Sequence, residues 1–257
     1  MPPAHRRAGR SLRAGGRRVL DWLLPPLCLA CRNPVGDHGA LCSACWSKVD
    51  YIETPVCDRL GTPMPFDLGP GALSPAAIAH PPAFDRARAA FRFDTVGRAL
   101  IHGLKYGDRL EIAPALAGWM ARAGREILVD ADALVPVPLH WSRLLRRRFN
   151  QAAELTRHLA GQTGIANEAL VLKRRRRTLH QVGLTRAQRL DNVAGAFAIA
   201  PDRLGWVAGR RLVLVDDVLT TGATIEACAR VLRRAGAARI DVLTAARVVD
   251  GPIAGHM

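Results

Sequence analysis

Long apolar runs, aromatic side chains and lysine are all scarce in this sequence, and each shortage narrows what the chain can do. The longest apolar stretch near the N-terminus, Val19 to Ala30, is twelve residues broken by Asp21, Pro25 and Pro26, far short of the roughly 20 that cross a bilayer. No transmembrane helix is expected. The same interruptions, with no small-residue cleavage site after them, make a poor secretory signal, so a cytoplasmic location is expected. Aromatic residues are 5% of the chain, which argues against a base-stacking platform. Only Lys48, Lys105 and Lys173 are lysine, so 34 of the 37 basic residues are arginine.

What is present is a chain of 257 residues, 49% apolar and 23% charged, with a formal net charge of +15. That is enough apolar content for one good-sized core plus a small appendage. A field this positive favours polyanions or phosphorylated small molecules, and arginine binds phosphate bidentately. Arginine in place of lysine along the whole chain says little, so the information lies in three clusters: Arg6 to Arg18, Arg143 with Arg146 to Arg148, and Lys173 to Arg177.

Residues 1–18 form a basic arm expected to be disordered. Residues 19–54 are cysteine-rich, and 55–82 are dense in proline and glycine and read as a linker. From 83 to 250 helical and strand-like stretches alternate, the mark of an α/β domain. Helical spacing covers Thr95 to Tyr106 and Ile112 to Ala123, with Gly107 and Gly124 as stops. A further helix around Ala152 to Leu159 ends near Gly161 or Gly164, and a last one runs from Ile225 to Ala235. Strands are expected at Ala133 to Leu139, Ala196 to Ile199, Arg211 to Val215 and Ile240 to Ala245, with Pro136 and Pro138 confining the first to an edge or a strand end.

Cys28, Cys31, Cys42 and Cys45 form two C-x2-C pairs ten residues apart, a spacing that closes a tetrahedral shell of four thiolates around Zn2+. So short a segment cannot bury enough apolar surface to fold alone, so metal binding and folding should be one event. Two disulfides or a redox C-x2-C pair are the alternatives, the first disfavoured in a reducing compartment. His38 reads as a loop residue, and Cys228 as a small apolar member of a buried helix.

The most informative stretch is Leu212 to Thr224, LVLVDDVLTTGAT. Four apolar residues give a buried parallel strand, placing Asp216 and Asp217 at its carboxyl end, where open α/β sheets hold ligands. The loop Thr220, Thr221, Gly222, Ala223 and Thr224 opens the next helix, so unpaired N–H groups and hydroxyls converge on a spot of partial positive charge suited to phosphate. Gly222 allows close approach, and the carboxylates can accept hydrogen bonds from vicinal hydroxyls. Together they describe a ribose 5-phosphate site. Neither G-x4-GK[ST] nor G-x-G-x-x-G occurs. The competing reading is that a threonine only caps a helix and the aspartates only solvate a strand end.

The stretch resembles the phosphoribosyl pyrophosphate motif of type I phosphoribosyltransferases, and the chain from about Asp21 to Val249 is similar to the ComF family, which joins a zinc-ribbon-like segment to such a domain. The resemblance also rests on HGLKYGDR at His102 to Arg109, PVPLHWSRLLRRRFNQA at Pro136 to Ala152 and HQVGLTRAQRLDNVAGAF at His180 to Phe197. It implies a parallel sheet flanked by helices, with Asp216 and Asp217 as catalytic residues on the ribose hydroxyls and Thr220 to Thr224 around the 5-phosphate. It implies a turn of Pro136 to His140, hence Pro138, Leu139 and His140, beside the pyrophosphate, with Arg143, Arg147, the run near Arg177 and Lys105 as candidate cations. Gln181, Arg186 and Asn192 fall where such domains carry a mobile cover. Many relatives have a second cysteine set near residue 57; here Cys57 stands alone, with Leu60 where a partner is expected, so a second metal site is not expected.

By that resemblance a catalytic site displaces pyrophosphate from phosphoribosyl pyrophosphate, with Mg2+ bridging pyrophosphate and ribose oxygens, and passes phosphoribose to a nitrogen acceptor that no motif identifies. The alternative is a binding protein that senses or retains such a ligand while its zinc segment and arginine arms engage DNA or competence-machinery proteins, a link the resemblance implies for some relatives. Oligomeric state is not legible.

Overall fold

Burial of four consecutive apolar residues, Leu212 to Val215, each 1% exposed or less, dictates the centre of the fold, because a strand apolar on both faces needs cover on both. In a computed structural model, which describes residues 25–139, 149–176 and 195–249, that strand is the middle of a five-stranded parallel sheet. The chain divides into two units, Met1–Lys48 and Val49–Met257. In the first, one helical turn, α1 (Ser43–Trp46), follows an isolated bridge between Leu27 and Pro34.

In the second unit, α2 (Pro75–Ala79) precedes β1 (Arg86–Arg92), α3 (Thr95–Tyr106), α4 (Ala113–Ala123), β2 (Ala133–Pro136) and α5 (Gln151–Thr163). Then come β3 (Ala166–Asn167), β4 (Leu172–Arg174), β5 (Phe197–Ile199), β6 (Arg211–Leu219), α6 (Ala223–Arg234) and β7 (Arg239–Arg247). The sheet order is β1-β7-β6-β2-β3, and β4 and β5 form a separate antiparallel pair. This is the helix-flanked parallel sheet that the sequence leads one to expect.

Helix boundaries follow from local chemistry. Asp94 caps α3 by accepting the Gly97 N–H at 3.1 Å, and Asn150 caps α5 through the Ala152 N–H at 3.1 Å. Gly164, at φ +75°, ends α5 in the left-handed conformation. Pro136 is the last residue of β2, which lies between β6 and β3, so the proline marks a strand end and not a sheet edge. The central strand runs on to Leu219, past the expected Val215, because β7 continues beside it and pairs Leu219 with Arg247.

The proline- and glycine-rich stretch read as a linker makes regular contacts with β1. Ala87 donates its N–H to Arg59 O at 2.9 Å, and the buried Arg88 donates to Asp58 O at 2.6 Å and Asp58 Oδ1 at 2.8 Å. Gly61, at φ +65°, passes so close to β1 that a Cβ there would lie 2.1 Å from the Ala87 carbonyl oxygen. We predict that Gly61→Ala destabilises this unit by at least the ~1–3 kcal/mol of a left-handed non-glycine residue. Thermal denaturation checks it, and an unchanged Tm would contradict the packing described.

Candidate functional site

In the first unit, tight turns bring the four cysteine Sγ atoms within 4.8 Å of one another. Cys31 and Cys42 Sγ are 3.7 Å apart, close to the ~3.8 Å edge of a tetrahedron with Zn–S bonds of about 2.3 Å. Burial disfavours ionisation of the Cys28 thiol, but amide donors, including the Cys42 N–H at 3.3 Å, outweigh it and bring the thiol down to about 6. Cys45 is driven the other way, up to about 12, by burial and by hydrogen bonds that the other three cysteines make to its neutral form. Four thiols gathered in one shell fit a cation that ionises them together. Zinc bound there would supply a structural cross-link, and His38 is not part of the cluster.

In the second unit the acidic pair occupies the sixth and seventh of the nine residues of β6. Side chains alternate along a strand, so Asp216 and Asp217 meet different surroundings. Asp217, 8% exposed, receives Lys105 Nζ on Oδ1 at 2.9 Å. Lys105 stands in the last turn of α3, so its ammonium is committed to the acidic pair. The half-buried Asp216 accepts its neighbour's N–H on Oδ1 at 2.9 Å. Burial and then the charge of Asp217 raise its pKa to about 7, with Lys105 and Arg174 partly offsetting them. Burial and the Asp216 charge also push the Cys228 thiol in α6 well up.

After Leu219 the exposed Thr220 and Thr221 lead into Gly222, at φ +80°, which serves as the N-cap of α6 without any side-chain cap. Thr220, Thr221, Gly222 and Ala223 border a cavity of about 780 Å³; Asp216 and Asp217 do not line it. The corner is thus open on the side of the loop. Pro138 and Leu139 follow β2 and are half-buried. They are fixed by the Val137 N–H to Val215 O at 2.9 Å and by Asn150 Nδ2 to Val137 O at 3.1 Å, which carries them past the acidic pair. His140, Arg143, Arg147, Arg177, Gln181, Arg186, Asn192 and the N-terminal arm lie outside the described residues. Arg174, its guanidinium 5.1 Å from the Phe197 ring centre, acts on Asp216; the basic run Lys173 to Arg177 was its only signal in the sequence.

Two outcomes follow. Elemental analysis is expected to find about one zinc per chain, lost in Cys42→Ser, whereas a metal-free but well-folded first unit would contradict the cluster. An acid whose folded pKa is raised is most stabilising below its unfolded pKa of about 3.9 and loses that contribution as pH rises through about 7. Asp216→Asn should therefore raise Tm relative to wild type by an amount that grows from pH 4 to pH 7 and then levels off; a pH-independent difference would contradict the raised pKa.

Comparison with known proteins identifies two family domains, the first of which extends beyond the cysteine-rich segment into the stretch expected to be a linker. Residues 19–77 match the double zinc ribbon domain and residues 152–253 the phosphoribosyl transferase domain. DNA utilization protein YhgH of Salmonella typhimurium is 33% identical over 226 residues, 85% of this chain and 96% of that protein. Competence protein F of Haemophilus influenzae is 29% identical over 227 residues, 86% and 96% of the two chains. A shorter segment of 41 residues, 16% of this chain, is 58% identical to adenine phosphoribosyltransferase of Mycobacterium avium, 21% of whose length it covers. A double zinc ribbon joined to a phosphoribosyltransferase domain, with relatives of this identity along their whole length, shows that the chain belongs to the ComF family.

Proposed function

We propose that the second unit binds phosphoribosyl pyrophosphate together with magnesium and transfers phosphoribose to a nitrogen acceptor. The observation that carries the reading is the uncapped N-terminus of α6, where Thr220 to Ala223 front an open cavity, with two residues between them and the paired carboxylates Asp216 and Asp217. A 5-phosphate at the loop meets backbone N–H groups and hydroxyls at the positive end of a twelve-residue helix. The ribose hydroxyls donate to Asp216 and Asp217, the second of which is held in place by Lys105 at 2.9 Å.

The donor set fits a magnesium ion that arrives on the substrate. Asp217 is already engaged by Lys105, and Asp216 by the Asp217 amide, so the pair offers no all-protein cage. Magnesium retains several waters and is commonly held through phosphate oxygens. Bound in that way it would supply charge neutralisation for the pyrophosphate leaving group. The chain's own part is to hold the sugar by its hydroxyls and 5-phosphate while the turn of Pro138 and Leu139 lies along the leaving-group side. Cationic character at the anomeric carbon is favoured by the nearby carboxylates.

The names of the relatives motivate a second reading, a ligand-binding module acting on DNA. Two measurements separate them. Calorimetry should show magnesium-dependent binding of phosphoribosyl pyrophosphate, weakened about tenfold or more in Asp216→Asn with Asp217→Asn, since each lost charge-assisted hydrogen bond is worth about 1.5–3 kcal/mol. Unaltered affinity in the double variant would refute the carboxylate role. A panel of purines, pyrimidines and amines should release pyrophosphate with at least one acceptor. No release, together with DNA binding that falls steeply with salt, would favour the second reading.

A further inference from the structure

The cavity in front of the α6 loop is larger than a phosphate requires. About 780 Å³ in volume, it lies between the loop and the end of β7 on one side and residues 60–63 and 76–84 on the other, a size typical of small-molecule sites. Much of its wall is apolar, with Leu60, Pro63, Phe84, Leu219 and Val248 among the lining residues. On the same wall stands Arg247, the last residue of β7, only 9% exposed. Its Nε and Nη1 are buried without a hydrogen-bond partner among the described residues.

That is an unusual state for an arginine in this chain. Arg86, Arg88, Arg211, Arg233 and Arg239 all reach a carboxylate. A guanidinium taken out of water without a partner is costly, and burial lowers the pKa of Arg247 only to about 10, so the charge remains at neutral pH. The one ionisable group that favours this charge is the Cys57 thiol, itself fully buried and already accepting the Leu60 and Ser74 amide protons.

We propose that this cavity is the acceptor pocket and that Arg247 receives the carboxylate of a small, largely apolar acceptor. The proposal rests on the phosphoribosyl reading above and names its substrate class. A planar guanidinium fork matches a carboxylate in a bidentate pair. One buried positive charge balances one negative charge. A single carboxylate suffices, because the other cation on this wall, Arg230, is already engaged by Glu226 Oε1 at 2.9 Å, while Glu226 Oε2 accepts the Ala83 N–H at 2.9 Å. The apolar wall takes the rest of the molecule. Since Thr220 to Ala223 border the same space, an acceptor anchored on Arg247 lies on the side of the 5-phosphate loop, and its reacting nitrogen must reach from there to the anomeric carbon.

The test titrates nicotinate and benzoate into the full-length protein by calorimetry, with nicotinamide and benzamide as neutral isosteres, each with and without magnesium and phosphoribosyl pyrophosphate. The acids are expected to bind about tenfold or more tighter than the amides, the worth of one charged hydrogen-bonded contact. Arg247→Met should erase that preference and leave the affinity for phosphoribosyl pyrophosphate within about twofold, as for a separate contact. Arg247→Lys, which keeps the charge should the methionine variant fail to fold, should lower the preference without abolishing it. The proposal is overturned if acids and amides bind alike, if neither class binds, or if the preference survives in Arg247→Met. A wild-type protein that binds no phosphoribosyl pyrophosphate yet prefers the acids would overturn the phosphoribosyl reading and leave the carboxylate site standing.

Discussion

Two carboxylates on consecutive residues of one buried strand form the constraint around which the site is arranged. Neighbouring strand residues face opposite ways, so the two carboxylates meet different short-range partners, although the charge of Lys105 acts on both. Asp217 is met by Lys105 from the end of α3 at 2.9 Å. Among the described residues Asp216 has its neighbour's amide as a short contact, and it is left with a raised pKa. A strand whose apolar residues 212–215 and 219 are buried would be more stable without such a pair. Acids held against that gradient at the carboxyl end of a parallel sheet mark a binding site.

The same accounting of charge runs through the rest of the second unit. Asp241 is buried in β7, and Arg86 and Arg239 reach it at 2.8 Å and 3.0 Å. Asp132 is held down to about 2 by the Arg211 guanidinium and backbone N–H, and Arg233 is committed to Asp85 at 2.6 Å. Several arginines of this basic chain are therefore structural, tying helices and loops to strand ends. Net charge alone is a poor guide to a polyanion surface here, and Arg247 differs in having no such partner among the described residues.

Much of this was legible in the sequence, for identifiable reasons. The helix at Thr95–Tyr106 appears with its expected ends because Asp94 and Gly107 punctuate a clear helical period. The cysteine cluster follows from spacing alone. The length of β6 was not legible, because charged Asp216 and Asp217 end the apolar run although pairing with β7 continues. Residues 55–82 read as linker because proline and glycine hide contacts that the stretch makes through its backbone and through Arg88. Lys105 gave no sign of its partner more than a hundred residues away, and Arg247 none of its isolation, since both depend on tertiary placement.

The central claim is that a sugar phosphate is held at the N-terminus of α6, and amide chemical shifts test it most directly. Titration of the isotopically labelled protein with ribose 5-phosphate should move the backbone N–H signals of Thr221, Gly222, Ala223 and Thr224 most, saturating together at one affinity. If those signals stay in place, or if the largest changes fall elsewhere in the sheet, the loop is not the phosphate site and the account built on it is wrong.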